Sequence, residues 1–429
     1  LSETNLKKSD ELFAKFCGEL HRRGMKVILD GVFNHCGSFH RWMDREGIYR
    51  EKPGYAPGAW QSETSPYREF FRFTDEPPGY EAWWEVETLP KLCYEDSETL
   101  CDNIFSVAEK WLRPPYSIDG WRLDVAADLG HSPEMNHDFW KKFRERVKSV
   151  NPEALIVAEH YEDPEEWLHG DEWDTVMNYT AFMDPVTYFL TGMEKHSDDV
   201  RDDLYQDGPH FFESMQQSMA SFPWNSLQCA MNELSNHDHS RFLTRTNRMV
   251  GRSNTHGPEA AGAYVDKAVM REAVVIQMTW PGAPTIYYGD EAGVVGWTDP
   301  DNRRTYPWDN PDYILIDYHR DVIALHKNHE ALRRGSFLFL STGRYFVSYS
   351  RFIKEEKVIV VINSGGDPME VSVPVWKAEV PTSCEIMQVF MTNELGYSIF
   401  PVKHQVQGGY VQIKLLPFSG VVLLYKNQD

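Results

Sequence analysis

Short apolar runs that end in polar residues recur along most of this 429-residue chain, and helix-like segments separate them. The runs cover residues 25–30, 118–124, 154–159, 174–179, 229–234 and 283–289. Runs this short and this apolar are typical of strands buried on both faces of a parallel sheet. Apolar residues at helical spacing predict helices over residues 9–23, 97–112, 139–147 and 266–279. Strands that alternate with helices indicate an α/β fold.

Two further observations choose among α/β architectures. No G-x-G-x-x-G or G-x-x-x-x-G-K-[ST] turn opens a predicted helix, which argues against a nucleotide-binding doubly wound fold. Polar residues collect where the apolar runs end, and a barrel of alternating strands and helices builds its site at that end of its strands. The sequence therefore predicts a (β/α)8 TIM barrel.

Composition divides the chain into three predicted domains. Residues 1–35 and 94–334 carry the alternating pattern and form the predicted barrel. Residues 36–93 are rich in aromatic residues, Pro and Gly without an evident long helix, so we expect an inserted domain with a function. Residues 335–429 hold only strand-like runs separated by turn signals, which predicts a C-terminal antiparallel β-sandwich.

The overall charge limits the partners that the chain can have. A net charge of −22 argues against nucleic acid and against anionic membrane surfaces, because both require basic patches. No apolar run approaches the length of a membrane span. The 14 Trp and 21 Tyr residues fit a large core, and their flat rings also suit stacking on sugars.

The cysteines are few and scattered, without a C-x-x-C pair or a zinc spacing. They are Cys17, Cys36, Cys93, Cys101, Cys229 and Cys384. We therefore expect free thiols in a reducing compartment and predict a cytoplasmic location, with an extracellular or cell-surface location as the alternative. No signal peptide is visible in a chain that begins at Leu1.

The segment DGWRLD, residues 119–124, carries the first candidate for catalysis. Strand alternation places Arg122 and Asp124 on one face, where the cation keeps the carboxylate ionised. An ionised Asp at the end of a barrel strand is what a glycosidase nucleophile requires, although Arg–Asp pairs are mostly structural. Glu159 and Asp238 close two other apolar runs, and each alone could be a helix cap. Like charges gathered at one rim oppose folding, so their coincidence favours a catalytic site.

Zinc is the competing chemistry, because four side chains at these strand ends are potential ligands: His35, His237, Asp124 and Asp238. The sequence contains no H-E-x-x-H spacing, and Arg122 would repel a cation. A pair of carboxylates without metal fits better, since a retaining glycosidase needs one ionised nucleophile and one protonated acid. Arg122 would keep Asp124 ionised, and like-charge proximity would keep Glu159 protonated.

Four segments, taken together and in this order, resemble the signature regions of the α-amylase family. They are DGVFNH (30–35), GWRLDVA (120–126), VAEHY (157–161) and SNHDHSR (235–241). The resemblance implies a (β/α)8 barrel with residues 36–93 protruding after its third strand, followed by a β-sandwich. It also implies that Asp124 is the nucleophile, Glu159 the general acid/base and Asp238 the stabiliser of the transition state.

Within that family, LPKL (89–92) and DPDNR (299–303) resemble segments of the neopullulanase, cyclomaltodextrinase and maltogenic amylase group. The substrate-binding residues predicted on this basis are Asp30, His35, Arg122, His160, His237, Trp83, Trp84, Asp299 and Arg303. Cys93 stands where that group usually has Asn, and His160 stands where it often has Trp, which leaves substrate preference open. The resemblance implies no required cofactor, but calcium is compatible with it, with Asn34 as one ligand.

The predicted function is that of a retaining α-glucan hydrolase acting on α-1,4 bonds in maltooligosaccharides, cyclodextrins, pullulan or starch. An α-amylase or an α-1,6-acting relative is the alternative, and a non-catalytic carbohydrate-binding relative is the remote one. The family's first two barrel strands have no counterpart before the helix at 9–23, so we expect a further N-terminal segment of the same protein. A homodimer is compatible with this group.

Overall fold

The computed structural model describes residues 3–427. It divides the chain into two compact units, Leu1–Met177 and Asn178–Asp429. The three-domain boundaries predicted from composition stay a prediction. No helix within residues 3–427 is both long enough and apolar enough to cross a membrane.

The first unit contains a four-stranded parallel sheet and three long helices. Its helices are α1 (Glu3–Arg22), α2 (Glu98–Leu112) and α3 (Pro133–Val150), and its strands are β1 (Ile28–Val32), β2 (Gly120–Asp124), β3 (Leu155–Ala158) and β4 (Thr175–Val176). The strands lie in the order β1-β2-β3-β4. The register of β1 and β2 pairs Asp30 with Arg122 and Val32 with Asp124. The predicted polar residues therefore lie at matching positions of neighbouring strands.

Local sequence explains how these elements begin and pack. Ser97 caps α2, because its side chain accepts a hydrogen bond from the Leu100 N–H. One apolar face of α2, which includes Ile104 and Ala108, is buried. β2 begins at Gly120, where a Cβ atom would lie 2.4 Å from the Leu155 carbonyl oxygen. Only Gly permits β2 and β3 to approach this closely.

Two strand predictions in this unit need correction. The run at 25–30 was expected to be buried on both faces, but Ile28 within it is 43% exposed, and Val32, later in the same strand, is 44% exposed. The reason is that β1 pairs with β2 alone in the described sheet and lies at its edge. The run at 174–179 forms a strand only over Thr175–Val176, because Tyr179–Met183 turns into a π-helix that leads into the next helix.

Residues 36–93 form an irregular segment whose described helices are two short turns, Arg68–Phe70 and Trp83–Glu85. Buried polar groups hold its loops in place. The Asp44 carboxylate accepts a hydrogen bond from the Tyr49 N–H, and the Tyr80 hydroxyl donates to the Glu87 carbonyl. The absence of a long helix, expected from the composition, is confirmed for these residues.

The second unit begins with helices and a short two-stranded parallel sheet. Its helices are α4 (Asp184–Thr191), α5 (Gly208–Ala220), α6 (Trp224–Cys229), α7 (Phe242–Arg245), α8 (Ser253–His256), α9 (Lys267–Thr279), α10 (Tyr313–Asn328) and α11 (Glu330–Arg334). The parallel pair is β5 (Met231–Glu233) and β6 (Ala283–Thr285). Asp266 caps α9, which is almost entirely buried.

A nine-stranded antiparallel sheet follows in the same unit. Its strands are β7 (Ser336–Gly343), β8 (Phe346–Phe352), β9 (Glu356–Asn363), β10 (Met369–Val373), β11 (Ser383–Asn393), β12 (Gly396–Ser398), β13 (Val402–Gln407), β14 (Tyr410–Leu415) and β15 (Ser419–Lys426). Their order is β10-β14-β13-β11-β15-β9-β8-β7, with β12 on β11. Val373 and Ile413 from one end share a core with Leu340 and Ile359 from the other. The two layers of the predicted sandwich are thus the two halves of one continuous hydrogen-bonded sheet, which bends so that its halves pack against each other.

Candidate active site

One guanidinium group, that of Arg122 on β2, contacts three carboxylates in the first unit. Its Nη1 atom lies 2.9 Å from Asp30 Oδ1 and 2.6 Å from Asp124 Oδ1. Its Nη2 atom lies 3.0 Å from Glu159 Oε2. Arg122 and Asp124 lie on one face of β2 because they are two residues apart, as the sequence predicted. The structure thus brings together four of the predicted site residues.

Burial strengthens this cluster. The side chains of Arg122 and Glu159 are 11% and 6% exposed, so solvent screens their interaction weakly. Burial by itself would lower the pKa of Arg122, but the negative charges of Glu159, Asp30 and Asp124 raise it above the ordinary value. Arg122 is therefore a permanent cation, and it stabilises the negative charge of its carboxylate partners.

Glu159 follows β3 and has a second donor besides Arg122. Its Oε2 atom accepts a hydrogen bond of 2.9 Å from the Val125 N–H. Val125 has a left-handed backbone with φ of 39°, a strained conformation for a β-branched residue, and strain of this kind clusters at functional sites. These two contacts favour the ionised carboxylate, whereas like-charge proximity was expected to keep Glu159 protonated. The predicted protonation of Glu159 stays a prediction.

Three aromatic rings stack next to one another in the same unit. The rings of His35 and Trp83 are 4.9 Å apart and nearly parallel, and those of Trp83 and Trp84 are 5.2 Å apart. The Trp83 indole N–H donates to Asp128 Oδ2 at 3.0 Å, and Trp84 is 78% exposed. Burial lowers the pKa of His35, and the charge of Asp124 only partly offsets this. His35 is therefore a neutral ring at neutral pH, and the stack presents a flat aromatic surface.

Asp238 lies in the second unit, beside the other predicted residues of that unit. His237 Nε2 is 3.5 Å from Asp238 Oδ2, and Arg303 Nη2 is 3.8 Å from Asp238 Oδ1. Arg303 also pairs with Asp299 at 2.8 Å and donates to the His237 carbonyl. Asn236 Oδ1 accepts hydrogen bonds from the N–H groups of Asp238 and the following residue, which fixes the turn. These contacts group His237, Asp238, Asp299 and Arg303.

Several residues that support the site were missed from the sequence. Asn302 donates to the carbonyls of Asn236 and His239, and the buried Arg241 pairs with Asp290 at 2.9 Å. Arg241 ends the segment SNHDHSR, so that motif contained the signal. Asn302 lies inside DPDNR, where the predicted residues were its neighbours Asp299 and Arg303. Asp128 carried no signal, since its role depends on the Trp83 indole.

His160 and Asn34 lie in the first unit with different surroundings. The His160 ring packs against Trp167 and bonds the Asp163 carbonyl at 3.2 Å, so a neighbouring loop holds it. The Asn34 Oδ1 atom is buried without a hydrogen bond and is one suitable calcium ligand. Calcium requires six to eight oxygen ligands. Within residues 3–427, the cluster of three His, Cys, Asp or Glu ligand atoms consists of Cys93, Glu95 and His131 and does not include Asn34. The described residues therefore show no such cluster at Asn34, and calcium binding there stays a prediction.

Comparison with known proteins gives a consistent result. The model of the alpha amylase catalytic domain matches residues 8–334. Neopullulanase 2 of Thermoactinomyces vulgaris is 32% identical over 424 residues, which cover 96% of this chain and 62% of that protein. The cyclomaltodextrinase of Thermoanaerobacter pseudethanolicus is 34% identical over 355 residues, which cover 80% and 53%. The chain thus spans less than two thirds of the length of these relatives.

A solved structure extends the likeness to the fold. The native debranching enzyme of Nostoc punctiforme superposes with a TM-score of 0.75 at 28% identity, covering 96% of this chain and 79% of that one. The family match ends at residue 334, and the antiparallel sheet starts at Ser336. The predicted fold class, a (β/α)8 TIM barrel followed by an antiparallel β-domain, is confirmed. The chain belongs to the alpha-amylase catalytic domain family.

Proposed function

We propose that this chain carries the catalytic centre of a retaining α-glucan hydrolase that cleaves α-1,4-glucosidic bonds. The observation that carries the proposal is the guanidinium of Arg122, which Asp124 and Glu159 share. A retaining glycosidase needs two carboxyl groups about 5–5.5 Å apart, one as nucleophile and one as acid/base. A shared cation supports this arrangement, because it offsets the repulsion between the two groups.

In the proposed reaction, Asp124 attacks the anomeric carbon while the bond to the glycosidic oxygen breaks. Glu159 gives its proton to the leaving oxygen, which leaves a covalent glycosyl-enzyme. Glu159 then takes a proton from water, the water oxygen attacks the anomeric carbon, and Asp124 is released. Asp238 would hydrogen-bond the sugar hydroxyls and stabilise the transition state. No organic cofactor takes part.

The first step requires that Glu159 carry a proton. Its contacts with Arg122 and Val125 oppose protonation in the free enzyme. A bound neutral sugar that excludes water from the site favours the protonated acid, because burial penalises the charged form. Substrate binding is thus expected to favour the protonated form of Glu159 that the first step requires.

The proposed substrates are maltooligosaccharides, cyclodextrins, pullulan and starch. The names of the neopullulanase and cyclomaltodextrinase relatives support pullulan and cyclodextrin. The stack of His35, Trp83 and Trp84 supports a neutral, ring-shaped ligand. The likeness to a debranching enzyme favours α-1,6 cleavage as the second candidate. An α-amylase uses the same groups, and a non-catalytic binding protein would not need the complete acid and nucleophile pair.

The test is hydrolysis of starch, pullulan and β-cyclodextrin by the full chain and by Asp124→Asn. We expect the variant to lose at least about 10³-fold in kcat, because an amide cannot form the glycosyl-enzyme. Asp75→Asn is the matched control, since that carboxylate is exposed in the same unit. Asp124→Asn should keep its affinity for maltoheptaose. Full activity of Asp124→Asn would refute the assignment.

Three further proposals concern the setting of the enzyme. A cytoplasmic location is supported by the cysteines, because Cys17, Cys36, Cys93, Cys101, Cys229 and Cys384 are all free thiols. Cell fractionation tests it, and an exported protein would contradict it.

Calcium at Asn34 and a homodimer rest on the family resemblance alone. Calcium titration and light scattering of the pure protein test them.

A further inference from the structure

A second cluster of ligand-type side chains lies in the first unit, apart from the carboxylates around Arg122. Cys93, Glu95 and His131, here called the Cys93 cluster, each offer one ligand atom, and these atoms all lie within 4.8 Å of one another. Cys93 is fully buried, and the side chains of His131 and Glu95 are 12% and 20% exposed. A thiol, an imidazole and a carboxylate thus converge on one point below the surface.

Both ring nitrogens of His131 face carboxylates. Its Nδ1 atom is 3.0 Å from Glu95 Oε2, and its Nε2 atom is 2.7 Å from Glu81 Oε2. A carboxylate on one ring nitrogen commonly orients a metal-bound His, and the other ring nitrogen then faces the ion. The Glu95 carboxylate also accepts from the His131 backbone N–H at 2.6 Å, which holds the two residues together.

The charges around the cluster favour a bound cation. Glu81, Glu95 and Asp96 are three carboxylates, and the Cys93 thiol lies 3.0 Å from Asp96 Oδ2. Two cations lie beside them, Arg72, whose Nε is 3.6 Å from Asp96 Oδ2, and Lys91, whose charge interacts with Glu81 and Glu95. The three carboxylates therefore exceed the two fixed cations by one charge. A Cys93 thiolate would add a second negative charge, and a divalent ion would offset both.

We propose that the Cys93 cluster binds zinc. Thiolate, imidazole and carboxylate form the donor set that zinc prefers, whereas calcium and magnesium take oxygen ligands. Glu81 would hold the ring nitrogen that faces away from the ion, as carboxylates commonly do for metal-bound His. Asp96 or water would complete four ligands. Asp96 and Glu81 are 59% and 39% exposed, which gives the ion a path from solvent.

The position of the cluster suggests what the ion would do. Cys93 ends the irregular segment 36–93, Glu95 follows it by two residues, and His131 lies in the loop after β2, which ends at Asp124. A zinc ion would therefore tie this loop to that segment and restrain the surroundings of Asp124. This role is structural and is independent of the glycosidase proposal.

The test uses the full chain, freed of metal with EDTA and titrated with ZnCl2 or CoCl2. We expect about one zinc ion per chain, a rise in Tm on binding, and a thiolate-to-cobalt absorption band in the near ultraviolet. Cys93→Ser should lose the band and bind zinc at least about tenfold more weakly. Cys101→Ser is the matched control, because its thiol lies outside the cluster, near the Tyr94 carbonyl.

A second variant protects the test against misfolding. His131→Gln keeps the thiol but removes the imidazole ligand, and it should also weaken zinc binding at least about tenfold. Circular dichroism checks the fold of each variant. The proposal is overturned if the wild-type chain binds no stoichiometric zinc, or if neither Cys93→Ser nor His131→Gln alters the affinity. It is also overturned if calcium displaces cobalt as readily as zinc does.

Discussion

Protonation of single side chains couples this fold to pH, and His40 is the clearest case. Burial, together with the charge of Arg41, lowers the pKa of His40 from 6.5 to about 4. Its neutral Nδ1 accepts a hydrogen bond from the Trp42 N–H at 3.3 Å, which a protonated ring could not do. As the pH falls below 6.5, the unfolded chain takes up this proton before the folded chain does. The contribution to stability is complete above about pH 6.5 and is lost toward pH 4.

We therefore expect His40→Asn to be less sensitive to acid than the wild type. The Asn Oδ1 atom can accept the same hydrogen bond but does not titrate. Between pH 7 and pH 4.5 the variant should lose roughly 1–3 kcal/mol less unfolding free energy, measured by urea denaturation at both values. Equal losses for the two proteins would show that His40 does not sense pH.

At the scale of elements, the pairing of β2 with β3 depends on the missing side chain of Gly120. Gly120→Ala would place a Cβ atom 2.4 Å from the Leu155 carbonyl oxygen, so one strand must shift. We expect a loss of about 2 kcal/mol or more in unfolding free energy, and lower activity because Asp124 ends the same strand. Gly18→Ala is the control, since its Cβ meets nothing within 4 Å in α1 and should stabilise the helix slightly. Chemical denaturation of both variants decides the matter, and equal stabilities would contradict the argument.

The sequence predicted elements where burial and period agree. In the C-terminal part, strand-like runs predict strands at 345–349, 357–363, 369–373, 410–415 and 421–425, and β10 and β14 have the bounds of the third and fourth. Period two likewise placed Arg122 beside Asp124. β13 was missed because its side chains are mostly exposed and only Val406 is buried. β11 was missed although its burial alternates, so a period-two search would have found it.

Sequence periodicity could not predict contacts that depend on one backbone angle or on two residues far apart in the chain. Glu159 meets the Val125 N–H because φ of Val125 is positive, which no periodicity encodes. Cys93 and His131 are far apart in sequence, without a zinc spacing, so only the fold shows that they converge.

At the scale of the whole molecule, the helices and the antiparallel sheet of the second unit share one core. Val274 and Met278 of α9 belong to the same hydrophobic cluster as Val360 of β9 and Val422 of β15. The Thr279 hydroxyl also bonds the Tyr349 hydroxyl at 2.6 Å. The C-terminal sheet is therefore part of the folding unit that contains Asp238.

We expect a chain shortened after residue 334 to lose its cooperative fold. Without the sheet, the apolar face of α9 that packs on it would be exposed to water. The free energy gained by burying that face is comparable with a typical unfolding free energy of about 5–15 kcal/mol. Thermal unfolding and size-exclusion chromatography measure the effect. Leu395→Ser is the control, because Leu395 is 93% exposed and its change should be neutral. A soluble shortened chain with a sharp transition would contradict a shared core.

If the proposed function holds, we expect the three acids around one guanidinium to exclude glucans that carry anionic groups. Asp30, Asp124 and Glu159 together outnumber the single positive charge of Arg122, and one proton on Glu159 still leaves the group anionic. A phosphate ester on the glucan would meet this negative potential in a poorly screened site. We expect cleavage to stop short of phosphorylated glucose units in potato starch. Mass spectrometry of the limit products should then find no phosphorylated glucose unit next to a cleaved bond.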